Sequence, residues 1–218
     1  MKTVAVVPIN ALALAKSRLA GTLAPEDRRE LVLWMASRVL RAVQQSASVA
    51  ALAVVSPDRD ALQWASERGA IAISQDGGRL NAGLFQARRW ALACGAEALL
   101  VLLADLPLLT PEEVHTFVAV DDTPAPAPTV ALAPDRRRIG TNGLLLRPVD
   151  ALPFAFGRAS FSRHSELATT EGISPRVFAS PGFAFDVDEP DDIETLRARN
   201  LWTPKYNVVS LTAREGAR

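Results

Sequence analysis

The residues of this chain best suited to chemistry are carboxylates and cations set at the ends of apolar runs. Asp105 follows the aliphatic stretch 99–104 in "LLVLLAD". An unpaired carboxylate in such surroundings takes up a proton rather than stay charged, so Asp105 calls for a compensating partner. Asp186 and Asp188 stand two apart in "GFAFDVDE", which reads as a strand; both would then face one side, with Val187 opposite. Three carboxylates with no matching Cys/His set suit a hard cation such as Mg²⁺, which takes carboxylates together with substrate phosphates. The plainer alternative is that Asp105 caps the turn after it and that "DVDEP" leads into a helix. On the residues alone both readings stand.

Phosphate chemistry would also need cations. Neither G-x-x-x-x-G-K-[ST] nor a G-x-G-x-x-G after the first strand is present, which disfavours a P-loop NTPase or a Rossmann dehydrogenase. Lys16 and Arg18 in "AKSRLAG" are the nearest candidates to meet phosphate, against the reading of a solvated loop pair. In "GTNG", backbone N–H groups beside a hydroxyl and an amide suit an anion. The basic run "DRRRIG" reads as solvated surface. His164 follows Ser160 by four residues, one helical turn away, but no G-x-S-x-G accompanies them, so a Ser/His hydrolase is disfavoured. His115 reads as exposed and without a role. Cys94, the single cysteine, excludes an internal disulfide and reads as a small buried hydrophobe.

The elements that must position these groups alternate. "TVAVVP" is a strand, followed by a loop through Lys16 and a helix over 26–46, where Leu31, Trp34, Met35, Val39 and Val43 recur at helical spacing. "ALAVVS" is a second strand, and Ser56-Pro57-Asp58 predicts an N-cap, a first-turn proline and an early acidic residue of a helix that stops at Gly69. "AIAIS", a helix over 81–94, the apolar "EALLVLLAD" and a capping box at Thr110–Glu113 continue the rhythm. Further on come a Pro-rich connector "DDTPAPAPT", a strand over 130–133, a helix near 161–169, the strand-like "GFAFDVDE" and a closing helix from Pro190. Trp34, Trp64 and Trp90 are expected to pack against the core. Strand–helix alternation predicts a single α/β domain over 1–202 with a doubly wound sheet, and a partly mobile tail over 203–218. Ligands of such sheets sit at the carboxyl ends of strands, where Lys16, Asp105 and the late aspartates fall.

Bulk properties narrow the partners. Lys plus Arg and Asp plus Glu each total 24, so the net charge is zero and no broad basic face for nucleic acid is expected. The opening "MKTVAVVPINALALAK" has the look of a secretory signal, but Pro8 and Asn10 interrupt it. No segment reaches the roughly 18 apolar residues of a membrane span, so a cytoplasmic protein is expected.

Taken in order, "PINALALAKSRLAG", "GGRLNAGL", "LLADLPLL", "APDRRRIGTNGLL", "FGRASFSRH" and "FDVDEPDDI" resemble the CofC family, the guanylyltransferases of coenzyme F420 biosynthesis. The resemblance runs over 4–196. It implies a GT-A-like nucleotide-diphospho-sugar transferase fold, Rossmann-like, with a mixed, mostly parallel sheet flanked by helices. It also implies GMP transfer from GTP to phosphoenolpyruvate, 2-phospho-L-lactate or 3-phosphoglycerate with release of pyrophosphate. Asp105, Asp186 and Asp188 would hold Mg²⁺, Lys16 and Arg18 would meet the GTP phosphates, and Asn81 would lie against the nucleoside. Thr141, Gly157 and Ser160 would contact the acid, and the next enzyme of the pathway is a candidate partner. Related enzymes with a sugar-phosphate or molybdopterin acceptor, and a non-catalytic nucleotide-binding paralogue, are the alternatives. Two positions depart from the family pattern: Asn10 stands where lysine is usual, and Glu189 where threonine is usual. Glu189 reads as a helix cap.

Overall fold

The computed structural model describes residues 2–77, 79–120 and 128–206. Strand β1 (Thr3–Pro8) is buried along its whole length, and its alternate residues feed two cores. Ala5 and Val7 join Leu31, Met35, Val39 and Val43 on one face of the sheet. Val4 and Val6 join Leu84, Ala87 and Ala91 on the other. A continuous β-branched run therefore becomes a central strand covered on both faces.

Helix α1 (Pro25–Gln45) starts with proline in its first turn and Glu26 and Asp27 behind it, residues that suit the free N–H groups there. After β2 (Ala51–Ser56) comes α2 (Arg59–Ser66), and here the expected cap shifts by two residues. Asp58, not Ser56, is the N-cap, its carboxylate accepting from the N–H groups of Asp60 and Ala61. Ser56 ends β2 instead, and its hydroxyl accepts from the Asp58 N–H. Then follow β3 (Ile71–Ser74), α3 (Leu80–Ala93), β4 (Ala98–Leu102) and α4 (Pro111–Val118) with its Thr110–Glu113 capping box. Cys94 is half-buried at the C-terminal cap of α3 rather than buried in the core. Trp34, Trp64 and Trp90 pack against the two cores as expected.

The second half holds β5 (Thr129–Pro134), β6 (Thr141–Arg147), α5 (Ser160–Thr170), β7 (Arg176–Val177), α6 (Pro181–Ala184) and α7 (Pro190–Ala198). Most of the Pro-rich connector lies outside the described residues. The sheet order is β3-β2-β1-β4-β6-β5-β7, with β6 antiparallel to both β4 and β5 and the remaining pairings parallel. The mixed, mostly parallel α/β sheet matches expectation.

The strand expected in "GFAFDVDE" does not form. Ser180 caps a single helical turn, α6, which drops Phe183 between Phe117 and Phe178, with ring centroids 4.8 and 5.6 Å away. Gly182 accepts this packing because a Cβ there would collide with the Glu113 carboxylate. The start of the expected tail is also tied down. The N–H groups of Lys205 and Tyr206 donate to the fully buried Asp27 carboxylate at 2.7 and 3.0 Å; the remainder of that tail lies outside the described residues.

Candidate active site

Strands β2 and β3 lie to one side of β1 and β4 to the other, so the loops after β1 and β4 diverge and open a crevice between them. Such a reversal of strand order is where open α/β sheets bind ligands. A cleft of about 360 Å³ lies there, lined by Asn10, Lys16, Arg18, Leu80, Asp105 and Asp188 among others. Its size falls within the range of small-molecule sites.

The loop after β1 folds as two 3₁₀ turns, Leu12–Leu14 and Ser17–Leu19, with Lys16 between them in the left-handed conformation at φ 52° and ψ 42°. That backbone is costly for a residue with a side chain and persists where surroundings enforce it. Two anchors do so. The Leu12 N–H donates to the Asp58 carboxylate at 2.8 Å, and Lys16 Nζ donates to Asp105 Oδ2 at 2.6 Å and Asp188 Oδ1 at 2.9 Å. This answers what compensates Asp105. Burial alone would depress the lysine, but the two carboxylates override it and hold its pKa up at about 12. Asp188 is held below its ordinary value, because Lys16 and Arg18 outweigh its burial. Arg18 is mostly exposed at the cleft mouth, 3.6 Å from Asp188, and also lines an adjoining cavity of about 230 Å³ with Asp186 and Glu189.

The three expected carboxylates gather without help from a strand. The Val187 N–H donates to the carbonyl of Asp105 at 3.3 Å, which docks the 186–188 segment on the loop after β4. Asn142, on β6, donates to the Phe183 carbonyl at 2.8 Å and to Asp186 Oδ1 at 3.4 Å. Asp186 is nevertheless under-compensated. Burial first, then the neighbouring Asp105 and Asp188, push its pKa up to about 6. Asp105 Oδ1 is buried with no hydrogen-bond partner. An all-oxygen donor set with an orphaned atom and excess negative charge fits a hard divalent cation. The geometry also qualifies the expected cage: among the described residues no three His, Cys, Asp or Glu side chains are already disposed to hold a metal. The cation between Asp105 and Asp188 is the Lys16 ammonium.

The expected acid contacts form a second cluster. Thr141 and Ser160 are buried against one another, the Thr141 N–H donating to Ser160 Oγ at 2.9 Å, while Gly157 is exposed. Gly157 has a φ of 121°, where a side chain would be strained, and its carbonyl accepts from Ser160 N–H at 3.1 Å. No acceptor for the N–H groups of Gly157, Arg158 or Ala159 is found among the described residues, so this turn leaves backbone donors for an anion. Thr141 starts β6 beside Asn142, so the cluster adjoins Asp186 through the backbone. Asn81 does not point freely into the cleft. Its amide nitrogen donates to the Phe156 carbonyl at 3.1 Å, and its oxygen accepts from the Phe156 N–H at 3.0 Å.

One motif is corrected and another refined. The N–H groups expected to be open at "GTNG" are taken: Gly140 donates to Asp135 Oδ2 at 2.7 Å and Thr141 to Ser160 Oγ at 2.9 Å, and Asp135 also accepts from the N–H groups of Arg137 and Ile139. Gly143 is required for packing, since a Cβ there would lie 2.6 Å from the Phe183 ring. The basic run is solvent-exposed as expected, and its arginines are also partnered. Arg136 pairs with Asp192, Arg137 makes a two-point pair with Glu189, and Arg138 lies over the Phe161 ring. Asp192 also accepts from the N–H groups of Asp188 and Glu189 at 2.8 Å each. These contacts fix the start of α7 and hence Asp188. Glu189 occupies the N-cap position as expected, though its carboxylate turns to Arg137. Asn142 is the amide of "GTNG", here turned to support Asp186; Asp135 and Asp192 are supporting residues the motifs did not single out, five residues before "GTNG" and four after "DVD".

Residues 3–199 match the model of the guanylyl transferase CofC-like family. The chain belongs to the CofC family. It is 47% identical over 196 residues to the phosphoenolpyruvate guanylyltransferase of Sphaerobacter thermophilus, covering 90% of this chain and 93% of that one. A relative from Methanothermobacter thermautotrophicus, a 2-phospho-L-lactate guanylyltransferase, is 32% identical over 88% of this chain and 83% of its own. A solved structure described as a nucleotide-diphospho-sugar transferase, from Desulfovibrio desulfuricans G20, superposes with a TM-score of 0.72 at 15% identity, covering 92% of this chain and 88% of that one. The last similarity concerns the fold alone, and it agrees with the fold expected of a CofC protein.

Proposed function

We propose that this chain is a guanylyltransferase that joins GTP to a phosphorylated three-carbon acid, phosphoenolpyruvate first among them, in the route to coenzyme F420. The observation that carries the reading is the Lys16–Asp105–Asp188 ion cluster, with Asp186 beside it, at the sheet's switch point in a CofC chain. Phosphoenolpyruvate is favoured by the 47% identity to the Sphaerobacter thermophilus enzyme.

The reaction suits the residues present. An oxygen of the acid's phosphate, already ionised at neutral pH, attacks the α-phosphorus of GTP. The bond from that phosphorus to the bridging oxygen breaks, pyrophosphate leaves, and no proton needs to move. What remains is positioning and charge neutralisation. Lys16 and Arg18 meet the triphosphate from the cleft side, Lys16 as a buried, doubly paired charge and Arg18 as an exposed one. The 157–160 turn offers the acid its free N–H groups, with Thr141 and Ser160 holding that turn to β6. Asp105, Asp186 and Asp188 would hold Mg²⁺, which when bound supplies charge neutralisation and a fixed triphosphate geometry.

Mass spectrometry of products from GTP, Mg²⁺ and an equimolar mixture of the three acids tests this directly. The expected outcome is a guanosine diphosphate-linked acid, dominated by the phosphoenolpyruvate adduct, formed with stoichiometric pyrophosphate and abolished by chelator. No adduct with any acid overturns the reading.

A further inference from the structure

His164 belongs to neither the ion cluster nor the exposed turn, yet it is completely buried. Its Nε2 accepts the Ala155 N–H at 3.0 Å. A backbone amide can only donate, so Nε2 carries no proton, and a neutral ring must carry it on Nδ1. Nδ1 lies 3.0 Å from Thr141 Oγ1, which therefore accepts. Burial keeps the ring neutral, with the Arg163 charge adding to it and a backbone hydrogen bond to Ser160 opposing; the pKa falls to about 4. The edge of the ring meets Phe156 at 4.9 Å between centroids. The next residue is held by Asn81, which grips both the N–H and the carbonyl of Phe156. Three backbone polar groups of residues 155–156 are thus held by side chains from α5 and α3, immediately before Gly157.

We propose that His164 is a positioning residue for the acid substrate: with Asn81 it clamps the 155–156 backbone and ties it to Thr141, setting where the amides of the 157–160 turn stand. This rests on the guanylyltransferase reading for the identity of the acid. It moves Asn81 from the nucleoside to the acid side of the site, and it gives the Ser160–His164 spacing a purpose unrelated to nucleophilic catalysis.

The test varies GTP and phosphoenolpyruvate separately in pyrophosphate-release assays of wild type, His164→Phe, His164→Gln and Asn81→Ala. Loss of a buried hydrogen bond of this kind predicts an acid KM raised about ten-fold or more in His164→Phe and Asn81→Ala, with the GTP KM within about two-fold. His164→Gln, whose side-chain oxygen can reach the Ala155 N–H, recovers most of the loss. Two readouts on the protein without substrate accompany this. Ring ¹⁵N NMR of wild type at pH 7 should place the proton on Nδ1, and the Ala155 amide should exchange slowly in wild type and rapidly in His164→Phe. A proton on Nε2, a GTP KM rising in step with the acid KM, or unchanged kinetics in both His164→Phe and Asn81→Ala overturns the proposal. A wild type inactive with every acid removes the proposed function instead, and the NMR and exchange readouts still decide whether the clamp exists.

Discussion

Asp186 illustrates how the site trades stability for charge. Its carboxyl is buried beside two like charges, so ionising it costs the folded state. Asp186→Asn should raise the stability of the free protein by about 1–2 kcal/mol at pH 8, since a pKa raised from below 4 to about 6 reports that order of strain after allowance for solvent screening. The same variant should lose catalysis by orders of magnitude and should no longer be stabilised by Mg²⁺; differential scanning calorimetry with and without the ion checks both. A variant no more stable than wild type would show that Asp186 is compensated after all. His164 makes the opposite contribution to pH dependence. Its folded pKa lies below its ordinary value of 6.5, so the unfolded chain binds the extra proton between about pH 6.5 and 4. Its stabilisation is complete above that window and lost as pH falls through it, about 3 kcal/mol in all. Asp186 slopes the other way over part of the same range, so the clean measurement is the difference between wild type and His164→Gln in denaturant titrations from pH 8 to pH 4. Wild type should lose stability relative to His164→Gln on acidification.

Among the elements, α2 shows how a cap can serve a site it never touches. Asp58 caps α2 with one carboxylate oxygen and holds the Leu12 N–H with the other, so the start of α2 anchors the strained loop carrying Lys16. Asp58→Ala should destabilise the fold by about 1–2 kcal/mol, as losing an N-cap does. It should also raise the GTP KM, because Lys16 is then less firmly held. Asp58→Asn retains an acceptor for the cap and should recover most of the stability. Thermal melts and GTP-dependent kinetics separate the two effects; an unchanged GTP KM in Asp58→Ala would show that Lys16 is fixed by Asp105 and Asp188 alone. Helix α7 plays a comparable part for Asp188, through Asp192 and the pairs with Arg136 and Arg137.

At the scale of the molecule, zero net charge means that no net monopole draws anionic substrates in, so attraction depends on where the cations sit. Lys16 and Arg18 are cations lining the cleft where the strand order reverses. No helix among the described residues is long and apolar enough to cross a membrane. The chain also closes on itself through a residue that does not line the cleft. Lys205 and Tyr206 satisfy the buried Asp27 carboxylate near the start of α1. Truncation after Trp202 should therefore cost about 2–4 kcal/mol, the penalty for leaving a buried charge without its donors. The KM values should not change, because Asp27 lies outside the site; chemical denaturation and steady-state kinetics of the truncated chain check the two halves of this expectation.

The α/β class, most of the parallel strands, the Thr110–Glu113 box and the candidate residues Lys16, Arg18, Asp105, Asp186 and Asp188 were legible in the sequence. Each is signalled locally, by hydrophobic period, capping chemistry or a charge interrupting an apolar run. Tertiary structure decided the rest. Phe183 turned an alternating segment into a helical turn because aromatic partners 66 and 5 residues away offered more burial than a strand edge. Asp135 and Ser160 took amides that looked open, Asn81 turned to Phe156, and His164 acquired its tautomer from Ala155. In each case a polar or aromatic group was claimed by a partner distant in sequence or hidden by a turn, and burial makes an unmet hydrogen bond costlier than any local preference.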